Sequence, residues 1–447
     1  MPAVGNADSL SMLLLVGAMG VALTLIVHAR PQAGYATYLI VLCLVPPWVA
    51  VTVGVLVTPL MAIGLAIVVA LWSGSGIRLL AFDVVTIVVI GSVAVSFLLG
   101  YVGLTQAYAA IIGWGLPYLV GRLGTRVDGD WLSTCVAVVF VVVAVLAIVE
   151  FVGRRNWFVE IRFPNSMYAG WSGIRYRGGL PRVEGAFGNS IALGACLAMA
   201  VPFVWVSRLR PAVKAIAILV VATAAVLTFS RIGMLSVVLG VVLCVTLLGR
   251  QVSRGFRIGT ATLLGIGVVI AAPLAMDVFS SAGDEAAGSA EYRGDLLSLV
   301  PTMTWLGQSS ASARDAAGTQ SFGSFESIDS AFILVGLTYG LIPLALLLVG
   351  ALAAVVALVR GHRGPALISI VAILPGLTSV AFITQFTTFF WFVAGLAVAQ
   401  VGARSRACRR TSGARRHRIC TRWTRSADAS CDDAVVQSLI NDESETP

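Results

Sequence analysis

Residues 182–233 read RVEGAFGNSIALGACLAMAVPFVWVSRLRPAVKAIAILVVATAAVLTFSRIG. An apolar run follows Asn189, a basic loop carries Arg208, Arg210 and Lys214, and an unbroken apolar stretch then covers 212–249 with Arg231 near its centre. A single helix over that stretch would bury the guanidinium in protein or lipid, at a cost of about 2.5–3.5 kcal/mol on insertion scales. Crossing a hydrocarbon core of about 30 Å takes only about 20 residues at 1.5 Å each. Residues 212–249 therefore predict two spans with a turn at Ser230-Arg231. Spans 189–206 and 212–229 form a hairpin, which returns Arg182 and Arg231 to the same side.

The same pattern extends over most of the chain. Of 447 residues, 58% are hydrophobic and only 11% charged, and the mean hydropathy is +0.94. A soluble globular protein is excluded, and so is a β-barrel, whose strands would alternate apolar and polar residues at period two. The expected fold is an all-α polytopic membrane protein with about 12–13 transmembrane helices and two long extracytoplasmic loops. Predicted spans include 10–27, 36–50 and 52–72, where Pro46-Pro47 breaks an over-long apolar stretch, and 330–358, 365–382 and 384–401. The N-terminus lacks the basic segment of a secretory signal, so its first apolar run reads as a retained span. The scattered cysteines form no C-x-x-C pair and support neither a disulfide framework nor a zinc site.

Basic residues set the orientation. With the N-terminus outside, every short inner loop carries positive charge: Arg30, Arg78, Arg122 with Arg126, Arg208 to Lys214, Arg250 to Arg257, and Arg360 with Arg363. Residues 1–402 then form a transmembrane domain with outer loops at 154–188 and 276–329, and 403–447 form a disordered cytoplasmic tail, basic and then acidic. Loop 154–188 departs from the trend, with six arginines against Glu160 and Glu184. A long loop can cross whatever its charge, and such a loop can also act as a funnel for anions. In loop 276–329 the segment EYRGDLLSLVPTMTWLG (291–307) suggests a short interfacial helix with Leu296, Leu297, Val300 and Trp305 on one side. Its Ser/Gly/Ala-rich flanks, 280–290 and 309–324, read as lid connections.

Two arginines at one membrane boundary are costly unless an anion or lipid head groups meet them. Beside Arg182, Gly185 and Gly188 allow close backbone approach, and Asn189-Ser190 can cap the next helix, whose N-terminus also favours anions. Two planar guanidinium forks suit a diphosphate, each charge-assisted contact contributing on the order of 1.5–3 kcal/mol. An ordinary loop-to-helix junction and lipid snorkelling are the alternatives.

The junction RVEGAFGN, the turn FSRIG, and the Asp329-Ser330 pair with Gly340 eleven residues on (SIDSAFILVGLTYGLIPL) together resemble the O-antigen ligase and O-antigen polymerase superfamily. The likeness is best from about 110 to 345, including YLVGR and the Glu150 region. It implies an inverting glycosyltransferase that needs no metal or other cofactor and moves a glycan from an undecaprenyl-diphosphate carrier to a sugar hydroxyl. Arg182 and Arg231 would bind the diphosphate and steady the leaving charge, and Arg293 matches an arginine of the family's outer loop. Ligases usually begin the polar pair with histidine; here it is Asp329, and His28, His362 and His417 all fall on the inner face. Asp329 is then the expected general base, with Glu326 in reserve, unless Asp329 merely caps the following helix. Glu150, at the outer end of its span, reads as an interfacial charge or a partner for an arginine or Asn156. The expected partners are the lipid-linked oligosaccharide, membrane lipids and other polysaccharide-assembly proteins, with no nucleic acid. A transporter or flippase of the same glycans and a non-catalytic envelope scaffold are the competing readings; transporters, however, place their charges near the midplane.

Overall fold

The computed structural model describes residues 6–53, 55–72, 79–249, 252–281, 292, 294–314 and 320–403, and the structure is mostly helical. Of the expected tail 403–447, all but Ala403, which is helical, lies outside the described residues, as do Arg293, most of the 280–290 connection and 315–319. Met1–Ala399 forms one compact unit.

Helices α1 (Asn6–Ala29) and α2 (Pro31–Leu44) end before Pro46-Pro47, where the expected break falls. The next expected span, 52–72, is a short antiparallel pair of strands, β1 (Val51–Val53) and β2 (Val55–Val57), followed by α3 (Pro59–Leu71). Then come α4 (Ala81–Leu98) and a continuous helical run made of α5 (Leu104–Ala110), a π turn (Ile111–Gly115) and α6 (Leu116–Leu123). The π turn sits just before Pro117, which has no N–H to continue the regular ladder. Helix α7 (Gly129–Gly153) leads into a long loop that holds α8 (Ser166–Trp171), β3 (Tyr176–Arg177) and β4 (Leu180–Pro181). Helices α9 (Ser190–Val206), α10 (Pro211–Leu227), α11 (Arg231–Leu247) and α12 (Arg254–Ser281) follow. The second long loop contains β5 (Ser312–Arg314) and β6 (Gln320–Phe322), and the chain closes through α13 (Ala331–Tyr339), α14 (Leu341–Val359), α15 (Pro365–Ile373) and α16 (Thr384–Ala403).

Among the described residues, four helices are long and apolar enough to cross a membrane by length and composition: α4, α7, α14 and α16. Shorter apolar helices, including α9, α10 and α11, accompany them. Many outward-facing side chains, among them Val69, Leu98, Val152 and Val359, are exposed, an extent of apolar surface that a water-soluble monomer rarely carries.

Helix α9 is the hub. Its side chains from Ala192 to Trp205 are buried all round, against α7, α10, α11 and α15, as expected of an interior helix. Close backbone contact completes the packing elsewhere: a Cβ added at Gly121 of α6 would stand 2.0 Å from the Phe392 carbonyl oxygen of α16. Small residues at a helix crossing permit this approach.

Contacts sort the helix ends into two sets. At one end His28 Nδ1 meets the Ala70 carbonyl at 3.0 Å, Arg122 closes on Asp83, and Arg208 closes on Asp128. At the other, Trp48 Nε1 donates to the Ile161 carbonyl, Gln308 N–H to that of Tyr101, and Gln385 Nε2 to that of Ala186. Arg122, expected as an inner-loop charge, is instead buried in the last turn of α6, where Nε and Nη2 meet Asp83 at 2.6 and 2.8 Å. Tyr118, one turn earlier, donates to the same carboxylate at 2.7 Å.

Three expectations change in the second loop and the span that follows it. The segment 330–358 is not one helix but breaks at Gly340, whose φ of +102° places it where L residues are strained. A Cβ there would meet the Trp305 carbonyl and Leu306 backbone at 2.7–2.9 Å. Helix α13 is thus a separate nine-residue piece, and α14 is the span. The 309–324 connection is partly a hairpin, with Ser312 opposite Phe322. Leu296 does not share a face with Leu297, Val300 and Trp305: it is buried with Leu299, Met303, Phe322, Ile328 and Leu337 in a small core, while the other three are exposed.

Candidate functional site

The chain between α7 and α9 is fixed from below by a carboxylate. Glu150, buried in the last turn of α7, accepts from the backbone N–H of Glu184 at 3.0 Å and of Gly185 at 2.8 Å. Asn156 Nδ2 donates to the same side chain and to the Gly185 carbonyl, both at 3.1 Å. Satisfying otherwise orphaned buried donors in this way holds RVEGAFGN in one place. Gly188 (φ +60°) then turns the chain into α9; a Cβ would lie 2.7 Å from both the Trp171 carbonyl and the Trp48 ring, so no larger residue fits. Asn189 caps α9, its Oδ1 accepting from Ile191 N–H at 2.9 Å and Ala192 N–H at 3.1 Å.

Upstream, Gly178-Gly179 turns β3 back onto β4, with Arg177 opposite Leu180. The ladder continues outward as Arg182 N–H donates to the Arg175 carbonyl at 2.9 Å. This hairpin lies on the turn between α10 and α11. Arg182 Nε donates to the Thr228 carbonyl and Arg177 Nη1 to the Phe229 carbonyl, each at 3.0 Å. Phe229 itself has φ +48°, and Ser230 caps α11 through Gly233 N–H. The chain therefore breaks beside Arg231, which starts α11 and is exposed.

A cavity of about 230 Å³ opens where these pieces meet a second group of residues. Arg175, Arg182, Trp171 and the α9 cap Asn189 line one side; Ser327, Ile328 and Asp329 line another; Ser379 to Ala381 and Ile383 complete it. The volume is below the roughly 300–1,000 Å³ of pockets that enclose a whole drug-sized ligand, which suits a small polar group. Arg175 lies over the Trp171 ring at 5.5 Å, a cation–π contact that orients the guanidinium. Its Nη1 is buried without a hydrogen-bond partner, 3.9 Å from Glu184 Oε1, itself buried without one. Burial pushes Glu184 up to about 7; Glu150 adds to the rise, and Arg175 and Arg182 oppose it.

Asp329 is half-buried and lines the cavity, but it is not the cap of α13. Ser330 takes that place, its Oγ accepting from Ile333 N–H at 3.4 Å. Segment 327–331 is held against 377–381 through Ala331 N–H to the Val380 carbonyl at 3.1 Å. Tyr292 donates its hydroxyl to the Ser327 carbonyl, and burial, reinforced by the charge of Asp329, raises its pKa. Thr384, next to the lining residue Ile383, holds φ +43°, a strained value for a β-branched residue of the sort that functional sites retain.

Of the residues expected from the sequence, the structure brings Arg182 and Asp329 to one cavity. Arg231 is three residues from the carbonyl that Arg182 holds, outside the lining; Glu326 is exposed, outside it too; Arg293 lies outside the described residues. Arg175 is a lining residue beyond those expected, although Gly178-Gly179 between R-Y-R and L-P-R is a hairpin signal whose register sets it opposite Arg182. Glu184, inside the motif, gave no periodic signal of its burial. No protein-family model, curated protein or solved structure matches this chain.

Proposed function

We propose that this chain is a glycosyltransferase of the cytoplasmic membrane that moves a glycan from an undecaprenyl-diphosphate carrier to a sugar hydroxyl on the outer face, in the assembly of a surface polysaccharide. One observation carries the reading: two arginines, a capped helix N-terminus and a carboxylate converge on a single cavity at one end of an apolar helical bundle. Guanidinium forks and helix N-terminal N–H groups are the protein's ordinary means of holding phosphate.

The end that bears the cavity is the outer one, since the opposite end carries the short basic loops. In this reading α5–α6 is one crossing, and it, α12 and the shorter apolar helices join the four long ones in a bundle of about 12–13 spans. In the reaction, Arg182 and Arg175 hold the diphosphate, and Arg231 stands at its approach. The bond between the anomeric carbon and the diphosphate oxygen breaks as the acceptor oxygen attacks from the opposite face. The acceptor's proton passes to Asp329, and the charge left on the diphosphate is met by the guanidiniums. Membrane lipids surround the enzyme, and other polysaccharide-assembly proteins supply the carrier-linked glycan.

Purified protein given undecaprenyl-diphosphate oligosaccharide is expected to lengthen or transfer the glycan, read by mass spectrometry of the products. Asp329→Asn is expected to lower turnover by on the order of 10²–10⁴-fold with the carrier still bound. Full activity in both Arg182→Ala and Arg231→Ala would sink the diphosphate assignment.

A further inference from the structure

Behind the cavity wall the charges do not close on one another. Arg175 reaches the cavity, whereas Glu184 lies behind it, 1% exposed. The 3.9 Å between Arg175 Nη1 and Glu184 Oε1 is too long for a hydrogen bond, and neither atom has another hydrogen-bond partner. Glu150, from α7, stands next to them but is committed to two backbone N–H groups and the Asn156 amide. The α9 N-terminus faces Glu184 through the Ser190 N–H, and Arg182 is the remaining charge acting on its carboxyl. The turn Trp157–Glu160 also packs here, but its Glu160 is held by Arg155 at 2.6 Å; α2 contributes Tyr35, Tyr38 and Cys43, all buried.

We propose that the cavity takes its diphosphate together with a proton, and that Glu184 is the positioning residue that receives it. This rests on the diphosphate reading of the cavity. An anion entering beside Arg175 and Arg182 adds negative charge to a site that already holds two buried carboxylates, Glu150 and Glu184. Like charge raises a carboxyl's affinity for protons. Of the two, Glu184 is the choice on geometry alone: Glu150 accepts three hydrogen bonds that hold it ionised, whereas Glu184 Oε1 accepts none; burial pushes Glu184 up to about 7. Ionised, it draws Arg175 back from the ligand; protonated, it leaves the Arg175 fork to the phosphate.

The sign of the linkage is fixed. Below the free-state value Glu184 is already protonated, so affinity is flat. Above it, binding must take up a proton, and affinity falls by up to tenfold per pH unit.

The test uses the full chain in nanodiscs of zwitterionic lipid and farnesyl-diphospho-N-acetylglucosamine as probe. Each of its phosphorus atoms carries one ester and one anhydride bond and a single acidic oxygen, which avoids the second ionisation near pH 6 of a phosphate monoester. Calorimetry between pH 5.5 and 8.5 is expected to show constant affinity up to about pH 7 and weakening by up to tenfold per unit beyond it. Glu184→Gln is expected to bind at the low-pH strength throughout, and Asp329→Asn to keep the wild-type slope. Titrating wild type at pH 8.5 in two buffers of different ionisation enthalpy gives a second measure, independent of any variant, with uptake approaching one proton per probe bound. Binding that is flat with pH and takes up no proton overturns the proposal alone. A slope lost in Asp329→Asn, or kept in Glu184→Gln, moves the proton elsewhere and overturns it too. No binding by wild type at any pH overturns the diphosphate reading itself, and this proposal with it.

Discussion

Arginine is used differently at the two ends of the bundle. At the end near α4 and α6, Arg122 closes a two-point pair on Asp83, buried and reinforced by the Tyr118 hydroxyl. At the end near α9, Arg175 stands 3.9 Å from its carboxylate, and Arg177 and Arg182 hold the main-chain carbonyls of the turn between α10 and α11. A guanidinium has five N–H donors in a fixed fork. Closed on a buried carboxylate it ties two helices together; spread over a carbonyl and a cavity wall, it leaves its charge facing the cavity. Net charge does not distinguish these cases, whereas the distance to the nearest carboxylate does.

That contrast can be broken by substitution. Arg182→Ala is expected to cost on the order of 10²–10³-fold in glycan transfer while thermal unfolding in detergent stays close to wild type; a large fall in Tm would make Arg182 structural. Arg122→Ala should do the reverse, leaving Asp83 buried and uncompensated at a cost of about 3–5 kcal/mol, seen as loss of folded protein during purification. A well-folded Arg122→Ala would end the proposed difference between the two ends. Glu150→Ala strands two buried N–H groups and is expected to destabilise by about 1–3 kcal/mol, with transfer falling because RVEGAFGN is no longer held. Smallest of all, Arg208→Ala removes an exposed ion pair with Asp128 and should leave both Tm and activity unchanged.

Much of this was legible in the sequence where length and charge decide. The apolar stretch 212–249 is too long for one crossing, and the chain breaks at 228–230, beside Arg231. Pro46-Pro47 marked a real end. The Asn189 cap was readable from residue type, whereas Gly188, read as room for a ligand to approach, is set instead against Trp171 and Trp48. What was not legible depends on distant partners. Arg122 looks like any basic residue after an apolar run until α4 places Asp83 beside it. Leu296 and Leu297 are adjacent and chemically alike; only the fold of the second loop buries one and exposes the other. Asp329 and Ser330 are both good caps by type, and the backbone selected the serine. Arg175 was readable in principle, because the Gly-Gly turn fixes its register, but charge alone did not separate it from its neighbours.

The small core of the second loop bears on how the site can open. One wall of the cavity begins α9, which is embedded among four helices, so displacing that wall disturbs the whole interior. The wall carrying Ser327 to Asp329 is backed by Leu299, Met303, Phe322 and Leu337, a cluster with its own packing on α13. Regions with few contacts to the main core open at lower free energy than the core itself. The two sides of the cavity thus differ in mechanical cost: α9 is the fixed side, and under the proposed function clearance for a bulky glycan would come from the side that carries Asp329.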